Sequence, residues 1–231
     1  MKKTLNLKYF SKAEWALWVS SMFFITLAFL IFDRESYLNL AASLIGATSL
    51  IFCAKGNPFG QVLIIVFSSI YGYISFSCAY YGELMTYAGM TLPMAIISLI
   101  SWLKNPYEGN RAEVKINRLE AKEIGLAALL SLAVTVVFYF VLKFFGTANL
   151  IPSTLSVATS FFAVYLTFRR SPYFAIAYAL NDVVLIVLWV MAAVHDKTYV
   201  SVVACFSMFL ANDIYSFANW KRMQKNQEKS K

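Results

Sequence analysis

Eight separate apolar stretches run through this chain of 231 residues, from one end to the other. A helix needs about 20 mostly apolar residues to cross the hydrocarbon core of a bilayer. The stretches lie at about 15–32, 38–54, 59–80, 84–103, 124–144, 151–168, 173–194 and 198–218. Soluble enzymes do not repeat apolar segments of this length from end to end. The pattern therefore predicts an all-α integral membrane protein, a single domain over 1–231 with eight transmembrane helices.

The basic residues lie almost entirely on one side of this predicted membrane domain. With eight spans, alternate loops fall on two sides, and 17 of the 20 Lys and Arg residues lie on the side of both termini. The other three are Arg34, Lys143 and Lys197. Positive charge collects on the cytoplasmic side of membrane proteins. The net charge of +8 therefore predicts that both termini are cytoplasmic, and it does not indicate nucleic-acid binding.

The residue patterns of common catalytic and cofactor sites are missing from the sequence. Cys53, Cys78 and Cys205 each lie inside an apolar span, and their spacing fits no metal or disulfide pattern. The single histidine, His195, lies in a short loop. There is neither a Gly-rich phosphate loop nor a Ser/His/Asp arrangement. We therefore expect a protein that is not an enzyme and that holds no metal or cofactor.

Two parts of the chain repeat the same order of signals. Ala47-Thr48-Ser49 precedes the basic turn Lys55-Gly56-Asn57-Pro58, and Ala158-Thr159-Ser160 precedes Arg169-Arg170-Ser171-Pro172. In each part the proline suits the first turn of the next helix. Both parts close on a tryptophan beside basic residues, Trp102 and Trp220. The repetition predicts one three-helix bundle at 38–103 and a second at 151–218.

Three is an odd number, so direct fusion of the two bundles would invert the second one. The span at 124–144 restores its orientation, which predicts a 3+1+3 core of parallel repeats preceded by an extra N-terminal helix at 15–32. In transporters with such repeats, the substrate lies near the bilayer midplane at the repeat interface. A membrane transporter is therefore the predicted function. A non-transporting membrane scaffold or sensor is the alternative from another class.

Polar side chains deep in the apolar spans are the candidates for a substrate site, because such groups are costly in lipid. In the seventh span, Asn181 and Asp182 lie about ten residues past Pro172, which at 1.5 Å per residue is near the midplane. Tyr178, Asp182 and Trp189 share one helical face. The alternative role for such groups is hydrogen bonding between membrane helices.

The eighth span and the first bundle add further candidates. Asn212, Asp213 and Tyr215 reach a similar depth, and Asn212 shares a face with Tyr215. In the first bundle, Ser68 lies at the depth of the Asn-Asp pair of the seventh span, and Gln61 lies nearer the cytoplasmic entry. Aromatic faces stack on rings and attract cations, while Asn and Asp bind amide or hydroxyl groups. This set suits a flat ring, neutral or cationic, without a phosphate.

Three segments resemble the PnuC family of nicotinamide riboside transporters. They are Tyr81-Gly82-Glu83-Leu84-Met85, the helix from Leu92-Pro93-Met94 to Trp102-Leu103-Lys104-Asn105-Pro106, and Asn212-Asp213-Ile214-Tyr215. The resemblance covers essentially the whole chain. It implies a fold similar to the SWEET sugar transporters and facilitated diffusion of nicotinamide riboside, with trapping by a cytoplasmic riboside kinase. It also implies a homotrimer in the bacterial inner membrane.

The binding motifs of that family match this sequence to different extents. The Asn-x-x-Tyr motif falls on Asn212 and Tyr215. The paired-Trp motif is matched in part, because Trp189 is present while Leu185 and Ala193 occupy the positions four residues away. Relatives of the family carry thiamine or riboflavin, so both vitamins stay alternative substrates. Proton coupling through one of the deep aspartates stays an alternative mechanism.

Overall fold

The computed structural model describes residues 9–77, 84–147 and 149–229. Within these residues, eight helices are long and apolar enough to cross a membrane, which confirms the predicted all-α class. They are α1 (Lys12–Phe32), α2 (Tyr37–Ala54), α3 (Phe59–Ser77), α4 (Leu92–Leu103, preceded by a π-helical segment, Met85–Thr91), α5 (Ala121–Phe144), α6 (Leu150–Phe168), α7 (Phe174–Ala193) and α8 (Val200–Lys229). A 3₁₀ turn, Lys197–Tyr199, precedes α8. Cys78, the end of the predicted third span and the segment Tyr81-Gly82-Glu83 lie outside the described residues.

Two helices begin earlier than hydropathy predicts because polar capping boxes start them. The Glu14 amide donates to Ser11 Oγ at 3.2 Å, and the Ser11 amide donates to the Glu14 carboxylate at 2.6 Å, so α1 begins at Lys12. Glu120 and Glu123 form the same arrangement at the start of α5. Such boxes pair the amides that the first helical turn leaves free. Hydropathy does not detect them, because the residues involved are polar.

The loop between α4 and α5 and the end of α8 contain structure that the apolar pattern does not predict. The loop contains a short antiparallel hairpin, β1 (Pro106–Tyr107) and β2 (Asn110–Val114). Gln227 accepts from the Ile116 amide at 2.9 Å and donates to the Val114 carbonyl at 3.1 Å. These contacts give the last turns of α8 a partner outside the membrane. The helix therefore continues to Lys229, well beyond the predicted end at 218.

The helices pack as two groups of three. Helices α2, α3 and α4 contact one another in sequence, as do α6, α7 and α8. Between the groups, α2 packs against α8 and α4 packs against α6, so the first helix of each group meets the third helix of the other. Helix α5 packs against α6, and α1 lies against α8 and α2. The parallel-repeat relation between the groups stays a prediction.

The two basic turns of the repeat have the same unusual backbone. Gly56 and Arg170, the second residue of each turn, have φ angles of 64° and 54°. Glycine adopts this left-handed region freely, whereas other residues rarely do. The Val114 amide donates to the Gly56 carbonyl at 2.9 Å, and the Asn117 amide donates to the Arg170 carbonyl at 3.1 Å. The end of β2 and the residues directly after it therefore bridge the two turns.

The outer surface of the helices is apolar, and the polar side chains lie inside. Leu129, Leu132 and Phe140 of α5 are each more than 60% exposed. Ser68, Asn181 and other polar side chains of the spans are buried. This distribution is the reverse of a soluble protein and is expected where lipid tails cover the surface.

Candidate functional site

A cavity of about 660 Å³ lies between the two groups of helices. Small-molecule sites have volumes of about 300–1,000 Å³. Residues of α2, α3, α5, α6, α7 and α8 form its wall, together with part of the π-helical segment. The wall extends to Phe145, His195 and Tyr199 on the membrane side opposite to the start of α1 and the end of α8. The side with the start of α1 and the end of α8 is called the terminal side below, and the side with Phe145, His195 and Tyr199 is called the opposite side.

Five of the predicted site residues line this cavity: Gln61, Tyr178, Asn181, Asp182 and Trp189. Tyr178, Asp182 and Trp189 do so along one stripe of α7, as their spacing indicates. Gln61 of α3 is 1% exposed and donates to Cys53 Sγ at 3.5 Å, near the terminal-side end. The structure therefore brings together the candidates of the seventh span and one candidate of the first bundle.

Three other candidates lie elsewhere: Ser68, Asn212 and Tyr215 are absent from the described wall of the cavity. Asn212 Nδ2 donates to Ser21 Oγ of α1 at 2.9 Å, and the Tyr215 hydroxyl donates to Glu14 Oε1 of α1 at 3.1 Å. Ser68 is fully buried. The shared face of Asn212 and Tyr215 is real, but it meets the extra N-terminal helix. This geometry supports a packing role for the two residues and does not support direct contact with a ligand in the cavity.

Replacing Asn212 with alanine is therefore expected to lower stability and to leave ligand affinity unchanged. The change removes the donor to Ser21 Oγ, whose hydroxyl still donates to the Leu17 carbonyl, and the loss of one buried hydrogen bond costs about 1 kcal/mol. Unfolding in mixed detergent–SDS micelles measures this loss. Because the two side chains act on each other, the double variant with Ser21→Ala should cost less than the sum of the single changes. A loss of ligand affinity in a folded Asn212→Ala protein would return this residue to the binding site.

Asp213 of α8 also lines the cavity, unlike its neighbours Asn212 and Tyr215, for which the sequence predicts a shared binding face. Its side chain is 2% exposed, and its carboxyl group is in hydrogen-bonding contact with that of Asp182, which is 4% exposed. Both aspartates follow an asparagine, Asn181 in α7 and Asn212 in α8. The repeated Asn-Asp dipeptide at similar depth was the sequence signal for this pair.

The asparagine of α7 holds its aspartate in place. Asn181 Oδ1 accepts hydrogen bonds from three hydroxyl groups of α6, those of Ser156 at 3.3 Å, Thr159 at 2.8 Å and Ser160 at 3.0 Å. These bonds fix the rotation of α7 against α6. The neighbouring Asp182 is thereby directed toward α8 and the cavity.

Three buried polar atoms of the cavity residues have no hydrogen-bond partner among the described residues. They are Asp182 Oδ2, Asp213 Oδ1 and Trp189 Nε1. Buried polar groups are nearly always paired in native proteins, so unpaired ones need an explanation. The Trp189 ring also packs against the Tyr199 ring, with centroids 5.2 Å apart and planes at 37°. The site therefore offers two acceptors, one donor and an aromatic wall to a ligand.

The charged groups of the cavity are acidic. The described part of its wall contains no Lys or Arg, and His195 lies at the opposite-side end. Beside it, outside the membrane, the Thr198 amide and hydroxyl donate to Asp196 Oδ1 at 2.9 and 2.8 Å, and these bonds, the amide first, lower the pKa of that carboxyl. Proteins bind phosphate groups with Arg, Lys or helix N-termini. The cavity chemistry therefore suits a neutral or cationic ligand.

Two tryptophans bond residues of the cavity wall, Thr167 and Cys53, at its terminal-side end. Trp102 and Trp220 are fully buried, with ring centroids 5.4 Å apart. Trp102 Nε1 donates to the Thr167 carbonyl, and Trp220 Nε1 donates to the Cys53 carbonyl, both at 2.8 Å. Each tryptophan ends the third span of one group and bonds the first helix of the other, two residues before its basic turn. Matching residues thus make matching contacts across the interface.

Comparisons with known proteins agree with a membrane carrier. A family model described as nicotinamide mononucleotide transporter matches residues 36–222. The nicotinamide riboside transporter PnuC of Neisseria mucosa is 25% identical over 215 residues, which cover 91% of this chain and 81% of that protein. The crystal structure of the vitamin B3 transporter PnuC has a TM-score of 0.81 and 22% identity, covering 94% of both chains. This structural likeness shows a shared fold.

Proposed function

Because the chain belongs to the family of nicotinamide mononucleotide transporters, which confirms the resemblance, we propose that it is a carrier of nicotinamide riboside. One observation carries this proposal. The cavity between the two helix groups has the volume of a nucleoside site and holds an aromatic wall, unpaired acceptors and no Lys or Arg among its described residues. The Neisseria relative bears the name of a nicotinamide riboside transporter, which supports the same substrate.

The charge of the cavity favours the riboside over the mononucleotide. The two molecules share the nicotinamide ring and the ribose, and the mononucleotide adds a phosphate group. Burying a phosphate without a cationic partner is very costly. The described wall holds two carboxyl groups, Asp182 and Asp213, and these would repel a phosphate. We therefore place the unphosphorylated nucleoside in the cavity.

The cavity residues divide into a ring site and a hydroxyl site. Trp189 lies two helical turns from Asp182 along α7, a separation of about 10 Å. We propose that the nicotinamide ring stacks on Trp189 and that the ribose hydroxyls donate to Asp182 and Asp213. Tyr178 and Gln61 lie toward the terminal-side end and would contact the substrate as it moves on.

Transport then requires the two helix groups to open alternately toward each side. The cavity reaches the opposite side, and toward the terminal side Trp102 and Trp220 bond two residues of its wall, Thr167 and Cys53. We propose that the parallel repeats at 38–103 and 151–218, joined by the helix at 124–144, rock against each other until these tryptophan contacts separate. Helix α1 would move with α8, against which it packs.

The proposal also covers the membrane in which the protein lies and the driving force for uptake. The excess of basic residues on the terminal side supports cytoplasmic termini in a bacterial inner membrane. The substrate would enter by facilitated diffusion, and a cytoplasmic riboside kinase would trap it by phosphorylation. We also propose that the protein forms a homotrimer, and the support for this is the family resemblance.

The contact between Asp182 and Asp213 favours a second mechanism, proton coupling through this pair. Proton relays in transporters use chains of acids and histidines. The described cavity wall has the pair near the midplane and His195 at its opposite-side end, with no further acid between them. We therefore retain uncoupled transport as the first candidate. Thiamine and riboflavin stay alternative substrates.

Uptake into liposomes that contain the purified protein tests substrate and mechanism together. Nicotinamide riboside is expected to enter until its concentrations on both sides are equal, whereas the mononucleotide, nicotinamide, thiamine and riboflavin enter at the rate of empty liposomes. Imposed pH or sodium gradients should leave the initial rate unchanged, and an enclosed riboside kinase should allow accumulation. Accumulation driven by a pH gradient alone would replace facilitated diffusion with proton coupling. Uptake of thiamine or riboflavin alone would replace the substrate.

A further inference from the structure

The most unusual feature of the cavity is the contact between two buried carboxyl groups from different helices. Asp182 of α7 and Asp213 of α8 lie within hydrogen-bonding distance of each other, and both line the cavity. Two carboxylates that share a buried site cannot both be ionised without strong repulsion. The pair therefore keeps at least one proton and can carry at most one negative charge.

This negative charge has no partner in the described protein. One oxygen of each carboxyl group, Asp182 Oδ2 and Asp213 Oδ1, accepts no hydrogen bond from a described residue. The described cavity wall contains no Lys or Arg that could neutralise the charge. A buried charge is costly unless it is paired, so this arrangement is stabilised when a cation enters the cavity.

Resting on the proposed function, we infer that the Asp182–Asp213 pair selects substrates whose ring carries a positive charge. In nicotinamide riboside the ring nitrogen forms the bond to ribose, so the ring is a pyridinium cation. With the ring on Trp189 and the ribose at the carboxyl groups, the opposite charges are separated by one to two helical turns. Attraction over this distance inside a protein still corresponds to about tenfold or more in affinity.

The Trp189 wall acts in the same direction as the carboxyl pair. The face of an aromatic ring attracts cations as well as flat apolar surfaces. Trp189 stacks against Tyr199, so two aromatic rings stand at the ring site. A neutral ring also stacks on the aromatic wall, so the wall discriminates charge only in part. The variants of the carboxyl pair separate its contribution from that of the wall.

A neutral isostere separates charge from shape in the test. Benzamide riboside has the same carboxamide and ribose, but a carbon atom replaces the ring nitrogen and the ring is uncharged. Equilibrium binding to the purified full-length protein is measured for both ribosides. The unmodified protein is expected to bind nicotinamide riboside about tenfold or more tightly than benzamide riboside. This comparison needs no variant, so a folding defect cannot obscure it.

Two variants then assign the preference to the pair. The double variant Asp182→Asn/Asp213→Asn is expected to weaken nicotinamide riboside binding about tenfold and to leave benzamide riboside binding nearly unchanged, because no carboxyl group remains to carry the negative charge while the shape stays. Glu35→Gln removes an exposed acid in the α1–α2 connection and is expected to keep the preference.

The possible outcomes test the charge selection and the proposed function separately. Equal affinity of the unmodified protein for the two ribosides would overturn the charge selection and leave the riboside transporter standing. Equal loss of both ribosides in the double variant would assign the pair to contacts that the two ribosides share, such as those with the ribose, and overturn the inference as well. Failure of the unmodified protein to bind either riboside would overturn the proposed function, and the inference with it.

Discussion

Replacing Trp220 with alanine is expected to lower the free energy of unfolding by about 3–5 kcal/mol, the usual cost of removing a buried aromatic side chain. Trp220 is fully buried between Trp102 and Phe174, at ring distances of 5.4 and 4.8 Å. The change also removes the indole N–H that pairs the Cys53 carbonyl near the end of α2. Unfolding in mixed detergent–SDS micelles measures the loss.

A phenylalanine at the same position separates the two contributions. Trp220→Phe keeps most of the ring packing and removes one of the two donors to the Cys53 carbonyl, which the Gly56 amide still pairs, so its expected cost is about 0.5–1.5 kcal/mol. Trp15→Ala is the matched control, because Trp15 is 40% exposed on the outside of α1. It should cost far less than Trp220→Ala.

Trp102 makes the matching contact in the other half of the interface, so a change there is expected to have the same effect. Trp102 bonds the Thr167 carbonyl just as Trp220 bonds that of Cys53. Trp102→Ala should therefore cost about as much as Trp220→Ala. If Trp220→Ala lowers the free energy of unfolding by several kcal/mol and Trp102→Ala leaves it unchanged, the two tryptophan contacts are not equivalent. That result would contradict the proposed rocking of two equivalent bundles.

The membrane-spanning part of the fold could be predicted because lipid imposes a simple rule. Each span must be apolar over about 20 residues, and this signal persists in a single sequence. The parts that escaped prediction obey other rules. The starts of α1 and α5 depend on capping by polar residues such as Glu14 and Glu123, and the end of α8 depends on contacts of Gln227 with a distant loop. Hydropathy contains no information about either.

The site could be predicted on α7 but less well on α8. On α7, the polar and aromatic residues fall on one stripe, so their common face was readable from spacing. On α8, polar residues lie on two faces, with Asn212 and Tyr215 on one and Asp213 on the other. Which face meets the cavity depends on how α1 packs against α8. That packing is a tertiary contact between residues about 200 positions apart, and spacing along the helix does not reveal it.

The second large effect is expected from an ion pair of Glu14, which lies where α1 contacts α8. Lys55 Nζ lies 3.2 Å from Glu14 Oε2, with side-chain exposures of 21% and 2%. The Tyr215 hydroxyl and the Ser11 amide also donate to this carboxylate, at 3.1 and 2.6 Å. Glu14 thus joins the start of α1 to α2 and α8 through one buried charge.

Lys55→Met is expected to destabilise the protein by about 3 kcal/mol, the lower end of the cost of leaving a buried charge without its ionic partner. The lower end applies because Tyr215 and Ser11 still donate to Glu14. Glu14→Gln should cost less, since Lys55 is partly exposed and its flexible side chain can reach water. The double variant should recover much of the loss of Lys55→Met, because no unpaired charge remains.

The exposed ion pair between Arg118 and Glu228 provides the control. Its atoms lie 2.6 Å apart, closer than those of Lys55 and Glu14, but its side chains are 73% and 38% exposed. Exposed pairs contribute about 0–1 kcal/mol, so Arg118→Met should cost less than about 1 kcal/mol. If Lys55→Met and Arg118→Met lower the free energy of unfolding equally in SDS unfolding, burial of Glu14 does not strengthen the contact of α1 with α2 and α8. If Lys55→Met instead costs several times more and the double variant recovers, one buried carboxylate holds the extra N-terminal helix on the transporter core.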